Sequence, residues 1–219
     1  MTAHHTGIWG QTLVDALRKR GIKSTSIIGN TGIDLRALSG DEPRISFEHL
    51  AGLFERAVEL TGDDLIGLEH AQNRDFRRAG LIVYVGTASP TVRSLLQNLA
   101  RYQRITSDAI TINVDRLDAE GILEWHFAVP RSVVRRQYLE FSGAGIIEDI
   151  RRLTNRRIAP LQVQFRHFRS TNIQPIERFF GCTVEFGSDE NQIVFKLEDL
   201  DLATAECGRS TLSNTTQIL

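Results

Sequence analysis

The sequence predicts an α+β fold: an antiparallel sheet of about five strands packed with helices, preceded by a helical N-terminal part. Three observations carry this. Apolar residues recur at helical spacing through the first 106 positions, and the period changes to two after Ser107. The later strands are separated by turns and a few helices in an order that suits an antiparallel sheet covered by helices rather than βαβ repeats. This divides the chain into a helical N-terminal subdomain (1–106), an α+β sheet subdomain (107–202) and a polar segment (203–219).

From Ile8 to Arg20, Trp9, Leu13, Ala16 and Leu17 recur at helical spacing and Gly21 stops the run. After a looser stretch through GNTG (29–32) and the turn-like SGDEP (39–43), Phe47, Leu50, Leu53, Phe54, Ala57 and Leu60 share one helical face, with Ser46 as N-cap and Gly62 as stop. DDLIGLEHAQN reads as another helix, capped by Asp63 or Asp64. GLIVYVG (80–86) reads equally as a buried strand or a short buried helix. SPT (89–91) predicts a helix start with Ser89 as N-cap and Pro90 at the first helical position, and Val92, Leu95, Leu96, Leu99 and Tyr102 form its buried face.

AITINV and ILEWHFAV, joined by the turn DRLDAEG, alternate as a β-hairpin that Pro130 ends. Residues 133–153 return to helix through Val134, Tyr138, Phe141, Ile147, Ile150 and Leu153. LQVQFRHF (161–168) is a strand with Leu161, Val163 and Phe165 on one face. NIQPIERFF is a short helix ended by Gly181, after which CTVEFG, the turn SDEN and QIVFKLE predict a second antiparallel hairpin. Cys182, one of two cysteines, shares a strand face with Val184 and Phe186, so it reads as a small apolar core residue rather than a nucleophile. The tail GRSTLSNTTQIL is polar and aperiodic, as a linker is.

The totals exclude several classes. A formal net charge of −1 does not suit a polyanion binder, and two cysteines exclude a disulfide framework of the small secreted kind. The start MTAHHTGIWGQTLVDALRKR lacks the features of a signal peptide, and no apolar run approaches a membrane span, so a cytoplasmic protein without membrane contact is expected. No G-x-S-x-G, H-E-x-x-H, Walker or G-x-G-x-x-G motif occurs, and the six histidines are scattered. His4 and His5 read as a frayed terminus and His167 as a core histidine. No catalytic residue, metal site or cofactor is expected.

Between Arg131 and Arg169 there are nine arginines and three acids. Such a run is a solvated helix face or a surface for an acidic partner. The best pocket material lies elsewhere: Leu99 and Tyr102 on one helix, Leu123, Trp125 and Phe127 on one hairpin face, and Phe141 on the next helix. Arg101, Arg104 and His126 supply polar groups to orient a guest, and SGAG (142–145) permits close approach of a helix or a ligand.

RISFEHLAGLFERAVELTGDDLIGLEHA, SPTVRSLLQNLARYQRITSDAITI and LQVQFRHF…RFFGCTVEFGSDENQIVF together resemble the N-terminal sensing domain, of the arabinose-binding type, of AraC-family transcription regulators. The resemblance covers residues 8 to 202 and is most specific in the closing RFFGC-V-FG…N-IVF block. It implies an effector-sensing and dimerisation domain, a homodimer, and DNA contact only through a C-terminal helix-turn-helix part absent from this chain. GLIVYVG departs from the helical GLLGYAL-like stretch usual at its place. The apolar pocket material favours a hydrophobic or amphipathic effector over a sugar. The element order is also similar to heme–nitric-oxide-binding domains, but the hairpin LEWHFAVPR lacks their Tyr-x-Ser-x-Arg clamp, so that topology is expected without heme. A cupin-like barrel needs more strands. The rival functions are a small-molecule enzyme using the same cavity and a dimerisation scaffold that binds no ligand.

Overall fold

The computed structural model describes residues 2–29, 31–38, 43–78 and 81–204. Most of the expected turn at 39–43 and most of the polar tail lie outside those residues.

The N-terminus is not frayed. His4–Thr6 forms β1, paired antiparallel with β2 (Arg44–Ser46), and His5 also bridges Ser107. Helices α1 (Ile8–Lys19) and α2 (Ser24–Ile28) lead through a 3₁₀ turn at Leu35–Leu38 to β2 and α3 (Phe47–Thr61). The Ser46 side chain accepts the His49 N–H at 3.1 Å, and Gly62 closes α3 in the left-handed conformation, as the pattern predicts. Helix α4 (Ile66–Asn73) takes neither aspartate as its cap. Asp63 accepts the Leu65 N–H at 2.9 Å in a turn before it, while Asp64 is taken by Arg136 and Arg169. A 3₁₀ turn at Phe76–Arg78 follows.

GLIVYVG resolves as helix: α5 spans Leu81–Ala88, with Val85 buried and Gly86 against Leu153. Helix α6 (Val92–Thr106) begins two residues later than expected, because Thr91 forms a capping box with Ser94. Ser89 is buried instead, donating to the Val85 carbonyl and accepting from Asn98. The last described residues return here, where Val92 N–H donates to the Leu202 carbonyl and Thr204 N–H to that of Pro90, each at 3.1 Å.

The sheet has five strands in the order β3 (Ile110–Asn113), β4 (Ile122–Phe127), β7 (Asn191–Val194), β5 (Gln162–Phe165), β6 (Val184–Phe186). The hairpin β3–β4 is present, with a short helix α7 (Leu117–Glu120) in its connection. The second hairpin is not. β6 pairs parallel with β5 through α9 (Ile173–Phe180), and β7 inserts antiparallel between β4 and β5. The loop 187–190 is tied to the end of β5, with Gly187 N–H donating to His167 and Ser188 N–H to Phe165, which carries the chain past β5 instead of turning it back. Leu161, expected on the core face, precedes β5 and is exposed. The result is a mixed sheet within the predicted α+β class.

Helix α8 (Arg136–Thr154) lies over the sheet, and the short α10 (Leu197–Leu200) ends the described fold. Val134, expected at the start of the α8 stripe, precedes the helix and is exposed. A Cβ on Gly143 would crowd Phe165 at 3.1 Å and meet Trp125 in ordinary contact at 3.6 Å, so this glycine lets the helix lie close to the sheet. On its other side α8 meets α4 at backbone range. Gly67 N–H donates to Gln137 Oε1 at 2.9 Å, and a Cβ on Gly67 would fall well inside 3.0 Å of the Gln137 carbonyl oxygen.

Most of the arginine run is spent inside the fold. Arg169, buried, holds Glu140 through Nε and Nη2 at 2.8 and 2.9 Å and Asp64 through Nη1 at 2.7 Å. Arg151 donates to the carbonyls of Ile158, Phe179 and Phe180, and Arg152 to those of Gln72 and Arg74. Arg135 caps the Pro130 and Val133 carbonyls. His167 is half-buried; its Nε2–H donates to Glu140 at 2.9 Å while its Nδ1 is buried without a partner among the described residues, so it is not the satisfied core histidine expected.

Gly67→Ala should lower stability by about 3 kcal/mol in urea denaturation, since the obstacle is backbone and cannot rotate away. Arg169→Met should cost about 3–5 kcal/mol by the same measurement, because it strands the buried Glu140 carboxylate.

Candidate functional site

Between α1, α6, α8 and the β3–β4 face lies a cavity of about 130 Å³. A wider groove beside α2 and α3, lined by Gly32, His49 and Glu55, is open to solvent and polar. The first cavity is partly open, with Tyr102 exposed, but its lining is the more apolar and makes it the better site.

Local periodicity builds its walls. On α6, Leu99, Tyr102, Gln103 and Thr106 fall at spacings of three and four and share one stripe. On the hairpin, alternation turns Ile110 and Ile112 of β3 and Leu123 and Trp125 of β4 inward. Helix α8 contributes Tyr138, Phe141, Ser142, Gly145, Ile146 and Asp149; the low-propensity SGAG stretch therefore serves both helix packing and the cavity wall. Trp9, His5, Val85 and Arg74 close it.

Of the nine residues singled out from sequence, Leu99, Tyr102, Leu123, Trp125 and Phe141 line this cavity. The other four lie outside it. Arg101 and Arg104 are exposed, because they fall off the α6 stripe, and Arg101 covers the Tyr102 ring at 5.4 Å. His126 is on the opposite sheet face, its Nδ1 3.2 Å from Glu190. Phe127 shares the Trp125 face but packs on Phe47 at 5.1 Å and beneath Arg135 at 5.2 Å.

The polar part of the lining comes from residues the pattern did not mark. Arg74 is buried, its guanidinium 4.8 Å from the Trp9 ring centroid and 5.8 Å from that of Phe141. Its Nη2 donates to both Asp149 oxygens at 2.6 Å and to the Gly145 carbonyl at 3.3 Å. Burial pushes the Asp149 pKa up and the Arg74 charge works against that rise. His5 Nδ1–H donates to the Thr6 carbonyl at 2.9 Å, leaving Nε2 to accept the Tyr138 hydroxyl at 2.6 Å. Burial drives the Tyr138 pKa upward and lowers that of His5 to about 4, so neither exchanges a proton near neutrality. Among the described residues, Arg74 Nε and Nη1, Trp125 Nε1 and Gln103 Oε1 are buried without a hydrogen-bond partner.

Cys182 is away from the cavity. It is half-buried at the α9–β6 junction, and burial together with Glu177 pushes its thiol up to about 11, so it stays protonated. No cluster of three or more histidine, cysteine or acidic side chains suited to a metal ion occurs among the described residues.

Residues 21–204 match the family model described as the arabinose-binding domain of AraC transcription regulator, N-terminal. The chain belongs to this family. Among solved structures, the chain is similar to the transcriptional regulator CdpR from Pseudomonas aeruginosa, with a TM-score of 0.62 and 14% identity over 91% of this chain. At that identity the likeness is one of fold, and the chain spans 58% of the length of that regulator. No curated protein matches the domain significantly. No helix among the described residues is long and apolar enough to cross a membrane.

The buried histidines set a pH dependence. His70, in α4, donates from Nε2 to Thr12 Oγ1 at 3.1 Å, and burial lowers its pKa from 6.5 to about 4, as for His5. Unfolded, each binds a proton near pH 6.5; folded, neither does until about pH 4. Unfolding therefore takes up protons in that window, and each histidine lowers stability by up to about 1.4 kcal/mol per pH unit as pH falls through it. Glu55 and Asp149, pushed up by burial, act in the opposite direction, so the comparison between variants is diagnostic. The melting temperature of His70→Gln should fall less between pH 6.5 and 4.5 than that of the wild type, and equal falls would reject the buried neutral histidine.

Proposed function

We propose that the chain is the effector-sensing part of an AraC-type transcription regulator, taking a small amphipathic molecule into the cavity between α6, α8 and the sheet. The observation that carries this reading is the position of the cavity. Leu99 and Tyr102 reach it from the helical residues 1–106, and Leu123, Trp125 and Phe141 reach it from residues 107–202. An occupant in contact with both parts favours one spacing of them over another, which is the differential affinity a switch requires. Apolar walls with a few polar groups suit an amphipathic guest better than a sugar.

In this reading DNA is contacted by a separate part of the regulator, not by this domain. Homodimerisation, a cytoplasmic location and the absence of catalysis belong to the same proposal, supported by the regulatory role of the family. The raised Cys182 thiol and the Tyr138–His5 pair offer no group poised for acid–base or nucleophilic work near neutral pH, in keeping with sensing rather than turnover.

Native mass spectrometry of the purified chain, with extraction under denaturing conditions, tests the reading. A small molecule carried through purification and lost in a folded Trp125→Ala variant is the expected result. Retention of the same molecule by that variant would place binding elsewhere.

A further inference from the structure

The hydroxyl groups that border the cavity have already given their protons to the protein. Thr106 Oγ1 donates to the Gln103 carbonyl at 2.8 Å, Ser142 Oγ to that of Leu139 at 2.8 Å, and Ser107 Oγ to that of His4 at 3.3 Å. The Tyr138 hydroxyl goes to His5 Nε2 at 2.6 Å, and Arg74 and Asp149 neutralise each other at the same distance. Trp125 Nε1, Gln103 Oε1 and the Nε and Nη1 of Arg74 are buried away from open space, so they offer an occupant no bond. What the deep walls present is mostly carbon, from Val85, Leu123, Phe141 and the rings of Trp9 and Trp125.

A polar group pushed in among them would lose its bonds to water and gain little in return, weakening its binding roughly five- to 150-fold. The mouth is different. Tyr102, on the C-terminal half of α6, is 37% exposed, and Gln103 and Thr106 beside it are half-buried, as is Ile146 on α8. A polar group held there keeps its water. The volume, about 130 Å³, suits a ring-sized body, since an apolar cavity of similar size, about 150 Å³, holds benzene.

Resting on the sensor reading above, we infer that the effector is recognised by the volume of a ring-sized hydrocarbon part, and that its polar group stays in water at the mouth beside Tyr102. The walls select size and leave the chemistry of that polar group unread.

Two sets of phenyl compounds are titrated at pH 7 into the 219-residue chain, read by the fluorescence of its two tryptophans, Trp9 and Trp125, both of which line the cavity. Benzene, toluene and ethylbenzene enlarge the hydrocarbon. The second set, 3-phenylpropionate, 3-phenylpropionamide and 3-phenylpropanol, keeps it constant and changes the polar group from charged to neutral. Affinity is expected to rise about fourfold with each added carbon in the first set. Across the second it should agree within about fivefold, since a group left in water adds little. Ile112→Phe and Ile146→Phe, which fill the cavity from the sheet and from α8, should each weaken all six compounds about tenfold or more, with a cooperative melting transition showing that the variant is folded. A larger preference for one polar group would overturn recognition by volume, as would equal affinities for benzene and ethylbenzene; either result leaves a ligand cavity in place. Binding that survives in both folded variants would put the site elsewhere. Binding of none of the six would remove the sensor cavity itself, and this inference with it.

Discussion

The fold depends on how closely helix α4 lies against helix α8. Their backbones meet at Gly67 and Gln137, where no side chain separates them, and the two helices run in the same direction from there. Polar fastenings hold both ends. At the N-terminal end the Gln137 amide is bonded to Gly67 N–H and to the Asp64 carbonyl, and Arg136 reaches the Asp64 carboxylate. At the C-terminal end Arg74 is paired with Asp149, and Arg152 satisfies the Gln72 and Arg74 carbonyls that the end of α4 leaves open. Because α8 also covers the sheet, this pair joins the helical residues to the strands. It also means that the polar wall of the cavity and the distal fastening of the helix pair are the same two side chains.

The arginine run illustrates how composition and placement differ. Counted along the chain, nine arginines against three acids suggest a charged surface. In the fold, guanidinium groups are used for their donors: Arg151, Arg152 and Arg135 terminate helices and loops, and Arg169 anchors two buried or half-buried carboxylates at once. Partial burial disfavours ionisation of Asp64, yet Arg136 and Arg169 hold its pKa below the ordinary carboxylate range, which marks that node as a true ion-pair network.

What the sequence revealed follows the range of the signal. Helix faces, the Ser46 cap, the left-handed stops at Gly62 and Gly181 and the first hairpin are local, and each was legible. Strand order is not local. β6 and β7 are adjacent in sequence and read as a hairpin, yet β7 pairs with β4 and β5, a choice made by buried neighbours such as Val163 and Ile193 rather than by the turn between them. The candidate cavity divides in the same way. Its apolar walls came from periodicity, and Gln103 was within reach of the same α6 stripe. Arg74, Asp149 and His5 were not, because their partners lie 71 to 133 residues away and nothing nearby announces them.

Helix α6 has a mechanical role as well as a lining one. At about 1.5 Å per residue its 15 residues form a rod roughly 22 Å long. Leu99, Tyr102, Gln103 and Thr106 occupy its C-terminal half, against the cavity, while Leu202 and Thr204 are tethered to its N-terminal approach at Pro90 and Val92. The last described residues are thus fastened to one end of a stiff element whose other end lines the cavity. A rod of that kind carries a small axial or rolling movement at one end to the other, so any displacement of α6 at the cavity would shift the Leu202–Thr204 anchor with it.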